Sequence, residues 1–146
     1  MLALTFQVGG DRMAVDVRRV REVVPRVGLA PATGAPPWVA GLFVYRGRVV
    51  PVVDLYRLAG AGECPPHLSS RIILVPYPAG SDRLVGLLAS QVADIRELPE
   101  APANGSAGGF GPPVADGAGV LRFLDPDRLL SAPELSAGLP ALEAAG

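Results

Sequence analysis

The sequence contains no lysine, a single cysteine, a single histidine and a single tryptophan, and aromatic residues make up only 5 % of it. Each scarcity removes a class of function. Cys64 alone cannot form an internal disulfide and fits a reducing compartment. Lacking a second thiol and a basic neighbour in sequence, it reads as an inert loop residue. His67, in the polar stretch between Pro66 and Ser69, offers one imidazole where a metal site or a nucleophilic triad needs partners. No catalytic residue, metal ligand or cofactor is therefore expected. All 13 cationic residues are arginine, set against 14 acidic ones for a net charge of −1; the basic stripe and aromatic platforms of a nucleic-acid binder are missing. No apolar run approaches 18 residues. The N-terminus lacks a cationic region, and Gln7, Gly9, Gly10 and Asp11 interrupt its apolar pattern. That pattern predicts neither a signal peptide nor a membrane span, so a cytoplasmic protein is expected.

What the chain does have is valine, glycine and proline. Its 146 residues, 49 % hydrophobic, suffice for one domain or for two small lobes sharing a core. Leu2, Leu4, Phe6 and Val8 alternate with small or polar residues, and so do Met13, Val15 and Val17 after a turn at 9–12; both read as strands. As the first strand begins at residue 2, no segment is expected ahead of the domain. The organising stretch is Val39–Gly60, VAGLFVYRGRVVPVVDLYRLAG. Two valine-rich runs, 42–45 and 49–53, flank Arg46-Gly47-Arg48, which reads as a hairpin turn with Gly47 at positive φ. Pro51 cannot donate to a ladder, which predicts an edge or a bulge. Asp54 is placed to cap a helix over 55–59 that Gly60 ends.

That stretch resembles the signature of the CheW-like coupling proteins of bacterial chemosensory systems. The match falls on Gly41, Arg46, Gly47, Pro51, Asp54 and Leu55 at the family's spacing, with Val44-Tyr45 standing where the signature has Asn-Leu. A second similar segment is Val17, Val20, Glu22 and Val23, where the helical spacing of valines predicts one or two turns over 17–22 leading into a strand. The resemblance covers about residues 1–131 and thins after residue 98.

Further along, 71–76 and 84–89 read as strands joined by a turn-rich loop. Ser90, where the family usually has aspartate, could cap a turn at 91–93 ahead of a strand at 94–98. Residues 99–117 are Gly-, Pro- and Ala-rich and read as a partly disordered loop. The stretch 120–124 reads as the last strand and 126–131 as a helix capped by Asp125; residues 132–146 form a weakly helical or disordered tail. Val52–Leu58 and Phe123–Leu129 echo one another: a strand end, an Asp cap, then Arg and Leu three and four residues on. Short valine-rich strands bounded by Gly and Pro make the chain mainly β. The resemblance implies two SH3-like five-stranded antiparallel barrels packed together, with short helices.

By the same resemblance the chain is a non-enzymatic adaptor. It would link a chemoreceptor's cytoplasmic helical hairpin tip to a CheA-type histidine kinase, through the kinase's own CheW-like regulatory domain, in a membrane-associated array. The expected partner-binding residues are Val20, Glu22, Gly41, Arg46 and Gly47. Arg46 is the most telling, because asparagine or aspartate would serve a turn before glycine better, while a guanidinium suits a partner carboxylate. The competing readings are a solvated turn residue at Arg46, charge neutralisation of Arg18, Arg19 and Arg21 by Glu22, and core packing for Val20. The departure at Val44-Tyr45 points to an alternative chemosensory system, whose output could be swimming, surface motility or biofilm. The other functional class left open is an unrelated small β-barrel module binding protein or nucleic acid.

Overall fold

The computed structural model describes residues 1–66, 69–100, 109–117, 119–133 and 135. The elements in order are β1 (Leu2–Val8), β2 (Asp11–Asp16), a 3₁₀ turn (Val17–Arg19), β3 (Glu22–Pro25), β4 (Val39–Tyr45), β5 (Arg48–Asp54), α1 (Leu55–Leu58), β6 (Arg71–Pro76), β7 (Leu84–Glu97), β8 (Phe110–Asp116), β9 (Gly119–Leu124) and α2 (Pro126–Leu130). The chain is mainly β, as its strand patterns and its resemblance both imply.

The strands form two sets of five that share β7. One runs β3-β6-β7-β5-β4, the other β7-β1-β2-β9-β8. Their ladders follow the same sequence of senses: antiparallel, antiparallel, parallel, antiparallel. In each set the strand joined by the parallel ladder, β5 or β9, runs straight into a one-turn helix capped by an aspartate. The sequence echo therefore marks a repeated unit. The expected antiparallel pairing holds except at these two ladders, β5–β7 and β2–β9, which are parallel and each bring in the strand that precedes a helix. Neither set closes by backbone pairing among the described residues.

β1 and β2 divide their side chains between two cores. Leu4, Phe6, Val8, Met13 and Val15 join the main core with Val50, Val52, Ile72, Leu74 and Leu87. On the opposite face Ala3 and Ala14 pack with Leu98 and Leu121 in a smaller cluster. The second set is correspondingly small and polar inside. Arg12 donates to both carboxylate oxygens of Asp116 at 3.0 and 2.9 Å, and Arg96 donates to the same carboxylate at 3.3 Å. Arg96 on β7 and Asp116 on β8 lie on the two strands at opposite ends of this set, so the ion cluster ties together ends that share no ladder.

Three local expectations need correction. Residues 84–97 form one strand, without a capped turn at 91–93. Gln91 takes φ 48° inside it, and the pairing with β1 shifts register there. The buried Ser90 hydroxyl instead meets the Tyr56 hydroxyl at 2.5 Å and donates to the Gln7 carbonyl. Second, the Gly/Pro-rich stretch expected as loop contains β8, with Pro113 opposite Arg122. That strand pairs on one side only, where a residue without an N–H is tolerated. Third, the helical turns expected over 17–22 reduce to the three residues 17–19, as β-branched valines disfavour continuation. At Pro51 the expectation holds, because β5 is an edge at that residue. Pro51 pairs with Leu42, and the β5–β7 ladder starts one residue later at Val52, so the missing donor costs nothing on that side. The bulge falls opposite, between Val39 and Gly41. His67, residues 101–108 and the tail beyond Leu135 lie outside the described residues; Leu135 itself is buried.

Candidate functional site

Tyr45 pairs with Arg48 across a two-residue turn made by Arg46 and Gly47. Their φ values are 49° and 79°. Two consecutive positive φ angles are what a type I′ turn requires, and its twist matches that of the flanking strands. Glycine accepts this freely; an L-residue with a long side chain does so at roughly 1 kcal/mol. Arg46 thus occupies a backbone position that asparagine would fill better, and its side chain is 77 % exposed. Arg46 therefore combines local backbone strain with a charge held in solvent.

Three side chains gather at this turn. Glu22, the first residue of β3, accepts a hydrogen bond from the Tyr45 hydroxyl at Oε1, 2.5 Å away. The nearest Arg46 nitrogen stands 3.7 Å from the same oxygen. The Arg46 guanidinium carbon lies 5.1 Å from the centre of the Tyr45 ring, inside the range of a cation–π contact. Bonding to Glu22, with burial second, raises the Tyr45 hydroxyl above its ordinary pKa. The ring of Tyr45 is tilted against Phe43 at 6.3 Å, which anchors the turn to the main core. Because β3 and β4 are opposite ends of their set, the Tyr45–Glu22 bond also spans a gap that no ladder crosses. Beyond the turn, Arg48 donates to the Asp82 carbonyl at 3.1 Å, and an open groove lies between the hairpin tip and residues 82–84.

The five expected binding residues separate into two groups. Arg46, Gly47 and Glu22 come together at the turn. Val20 and Gly41 do not join this hydrogen-bonded and ion-paired cluster. Val20 ends the 3₁₀ turn, half-buried against the main core. Gly41 is buried in the β4 bulge with φ 153°, and a Cβ there would stand 2.7 Å from the Leu29 Cβ and 2.8 Å from the Ala30 carbonyl oxygen. Residues 29–30 cross over it through a bridge between Ala30 and Leu42, so Gly41 has a backbone reason for its identity. Sequence reasoning missed Tyr45 as a member of the site, although its departure from the family signature was the available signal. Among the described residues, no group of three His, Cys, Asp or Glu side chains could hold a metal ion, and no helix is long and apolar enough to cross a membrane. Cys64 is buried, its N–H donating to Asp54 Oδ2 at 3.0 Å, and burial pushes its thiol above the ordinary pKa.

A signature strand–turn–strand, an Asp-capped turn after it and a twice-used five-strand unit invite comparison with known proteins. The CheW-like domain family matches residues 2–134. The chain belongs to this family. Members of the CheW family are non-catalytic scaffold and adaptor proteins. The chain is 26 % identical to "Chemotaxis protein CheW" of Treponema pallidum over 141 residues, covering 90 % of this chain and 83 % of that one. It is 33 % identical to "Chemotaxis protein CheW" of Rhizobium meliloti over 92 residues, and 34 % identical to "Protein FrzA" of Myxococcus xanthus over 99. Those matches cover 63 % and 64 % of this chain but only 57 % and 62 % of the two relatives. Among solved structures, the scaffolding protein TtCheW from Thermoanaerobacter tengcongensis superposes with a TM-score of 0.77 over 91 % of this chain and 89 % of that one, at 20 % identity. At that identity the likeness concerns the CheW-like fold alone.

Proposed function

We propose that this CheW-like protein is a cytoplasmic adaptor that couples the cytoplasmic helical tip of a chemoreceptor to a CheA-type histidine kinase in a receptor array. The observation that carries this reading is Arg46, an exposed guanidinium on a strained type I′ turn that folding alone would give to asparagine. Family membership supplies the class of partner. In this reading Arg46 and Glu22 make polar contacts to the receptor tip, Gly47 sets the turn, Val20 adds apolar contact and Gly41 shapes the strand beneath. The kinase contact is a docking of one small barrel on another, through the kinase's own CheW-like regulatory domain. Helix-in-groove recognition combined with a signalling interface of about 1,000 Å² gives modest, reversible affinity, which suits a scaffold held by several contacts at once.

The test pairs stability with binding in one set of proteins. Replacing Arg46 by Asn relieves the turn and should stabilise the fold by up to about 1 kcal/mol while weakening capture of the receptor cytoplasmic fragment and the kinase regulatory domain. Replacing it by Glu should leave stability within about 0.5 kcal/mol and abolish capture, because attraction to a partner carboxylate becomes repulsion. Normal capture by both variants refutes the assignment of Arg46.

A further inference from the structure

Some arginines of this protein hold a carboxylate with both prongs, while others, such as Arg57 with Glu63 and Arg122 with Asp11, stand off at 3.5 and 3.8 Å. Arg12 holds Asp116 at 3.0 and 2.9 Å, and Arg19 holds Asp127 at 2.7 and 2.8 Å. Arg46 beside Glu22 does not. Its nearest nitrogen is 3.7 Å from Glu22 Oε1, outside hydrogen-bond range, although the two side chains are close enough to pair. What occupies that oxygen is the Tyr45 hydroxyl. The guanidinium lies over the Tyr45 ring instead.

We propose that Tyr45 is a positioning residue for Arg46: its hydroxyl takes the Glu22 oxygen that would otherwise draw Arg46 into an intramolecular pair, and its ring supports the guanidinium so that the N–H fork is presented outward to an acidic partner. The second half of this inference rests on the reading of Arg46 as a partner contact; the first half stands on geometry alone. A neutral donor is suited to the task. It engages Oε1, the oxygen nearest the guanidinium, without cancelling the charge, so Glu22 still attracts Arg46 towards this side of the turn while the hydroxyl competes for the position a short pair would use. Stacking on an aromatic face leaves the guanidinium's in-plane donors free, which a bidentate self-pair would consume.

The experiment reads Arg46 directly. Wild type, Tyr45→Phe, Glu22→Gln and the double variant are treated with phenylglyoxal, and modification of Arg46 is followed by peptide mass mapping. Tyr45→Phe keeps the ring and frees the Glu22 oxygen. Arg46 then pairs with Glu22, and its modification should slow by roughly two- to five-fold, the range an exposed ion pair supplies. Adding Glu22→Gln removes the competing charge and should restore the wild-type rate. Binding of the receptor cytoplasmic fragment should fall in Tyr45→Phe; the rescue is read from the Arg46 rate alone, because Glu22 is itself assigned a receptor contact. A role of Tyr45 in packing alone would lower the melting midpoint and would not be rescued at Glu22. An unchanged Arg46 rate in Tyr45→Phe, or a slowed rate that Glu22→Gln leaves slow, overturns the proposal. Slowing and rescue of modification with receptor binding unchanged in Tyr45→Phe would uphold the positioning and overturn Arg46 as a partner contact.

Discussion

Replacing Asp54 by Ala should destabilise this protein far more than replacing Asp125 by Ala, although both residues cap one-turn helices in equivalent units. Asp54 is buried, and its two oxygens accept from two backbone donors: Oδ1 from the Tyr56 N–H at 2.9 Å and Oδ2 from the Cys64 N–H at 3.0 Å. Alanine would strand both. Each buried donor left without a partner costs about 1–3 kcal/mol, so Asp54→Ala should lose about 2–6 kcal/mol and lower the melting midpoint by roughly 2–4 °C per kcal/mol. The Asp125 side chain is 45 % exposed and accepts from the Asp127 and Arg128 N–H groups within its own helix turn. Water can replace it there, and an ordinary cap loss of about 1 kcal/mol is expected. Asp54→Asn keeps one acceptor oxygen and should fall between the two. Urea unfolding at neutral pH, with the slope compared across variants to confirm a common transition, measures all three. Losses for Asp54→Ala and Asp125→Ala that agree within about 0.5 kcal/mol would refute the argument that the tether to Cys64, beyond helix capping, accounts for the aspartate at 54.

Two further outcomes follow from local geometry. Gly41→Ala combines a φ of 153° with contacts of 2.7 and 2.8 Å to Leu29 and Ala30, and should cost about 1–3 kcal/mol; a melting curve like the wild type's would show that residues 29–30 yield freely. The Cys64 thiol has its pKa raised in the fold above the ordinary 9.0, mainly by burial. Its contribution to stability is therefore complete below pH 9.0 and is lost as pH rises through the folded value. Native Cys64 should accordingly resist a thiol reagent at pH 8 until urea is added, and rapid native labelling would contradict its burial.

Much of this fold was legible because local chemistry and tertiary role agree. Alternation in residues 2–8, the turn at Arg46-Gly47 and the two aspartate caps were read from spacing alone, and the structure holds each of them. The repeat was visible only as a seven-residue echo, since the features that make it a unit are ladder senses, which leave no mark on composition. β8 escaped detection because Gly111, Pro112 and Pro113 are poor strand formers. Yet a Cβ at Gly111 would stand 2.8 Å from the Phe123 carbonyl oxygen, so the glycine that argued against a strand is what lets β8 approach β9. Continuity of β7 was hidden by Gln91, a positive-φ residue without a glycine to announce it. At the candidate site, Arg46, Glu22 and Gly47 were singled out from the sequence, but that Glu22 would reach across from β3 to meet Tyr45 required the fold.

The order of strands carries a consequence for how the chain assembles. The set β3-β6-β7-β5-β4 is drawn from one continuous stretch beginning at Glu22, whereas the other set recruits β1 and β2 from the start of the sequence and β8 and β9 from its far end. Arg12 and Asp116, the pair at its centre, are 104 residues apart. During synthesis the leading hairpin therefore emerges long before β9, and the closure entropy of so large a loop falls on the second set alone. The continuous set is the one that can nucleate early, and it contains the Arg46 turn. Its partner is completed last, by the arrival of β8, β9 and α2.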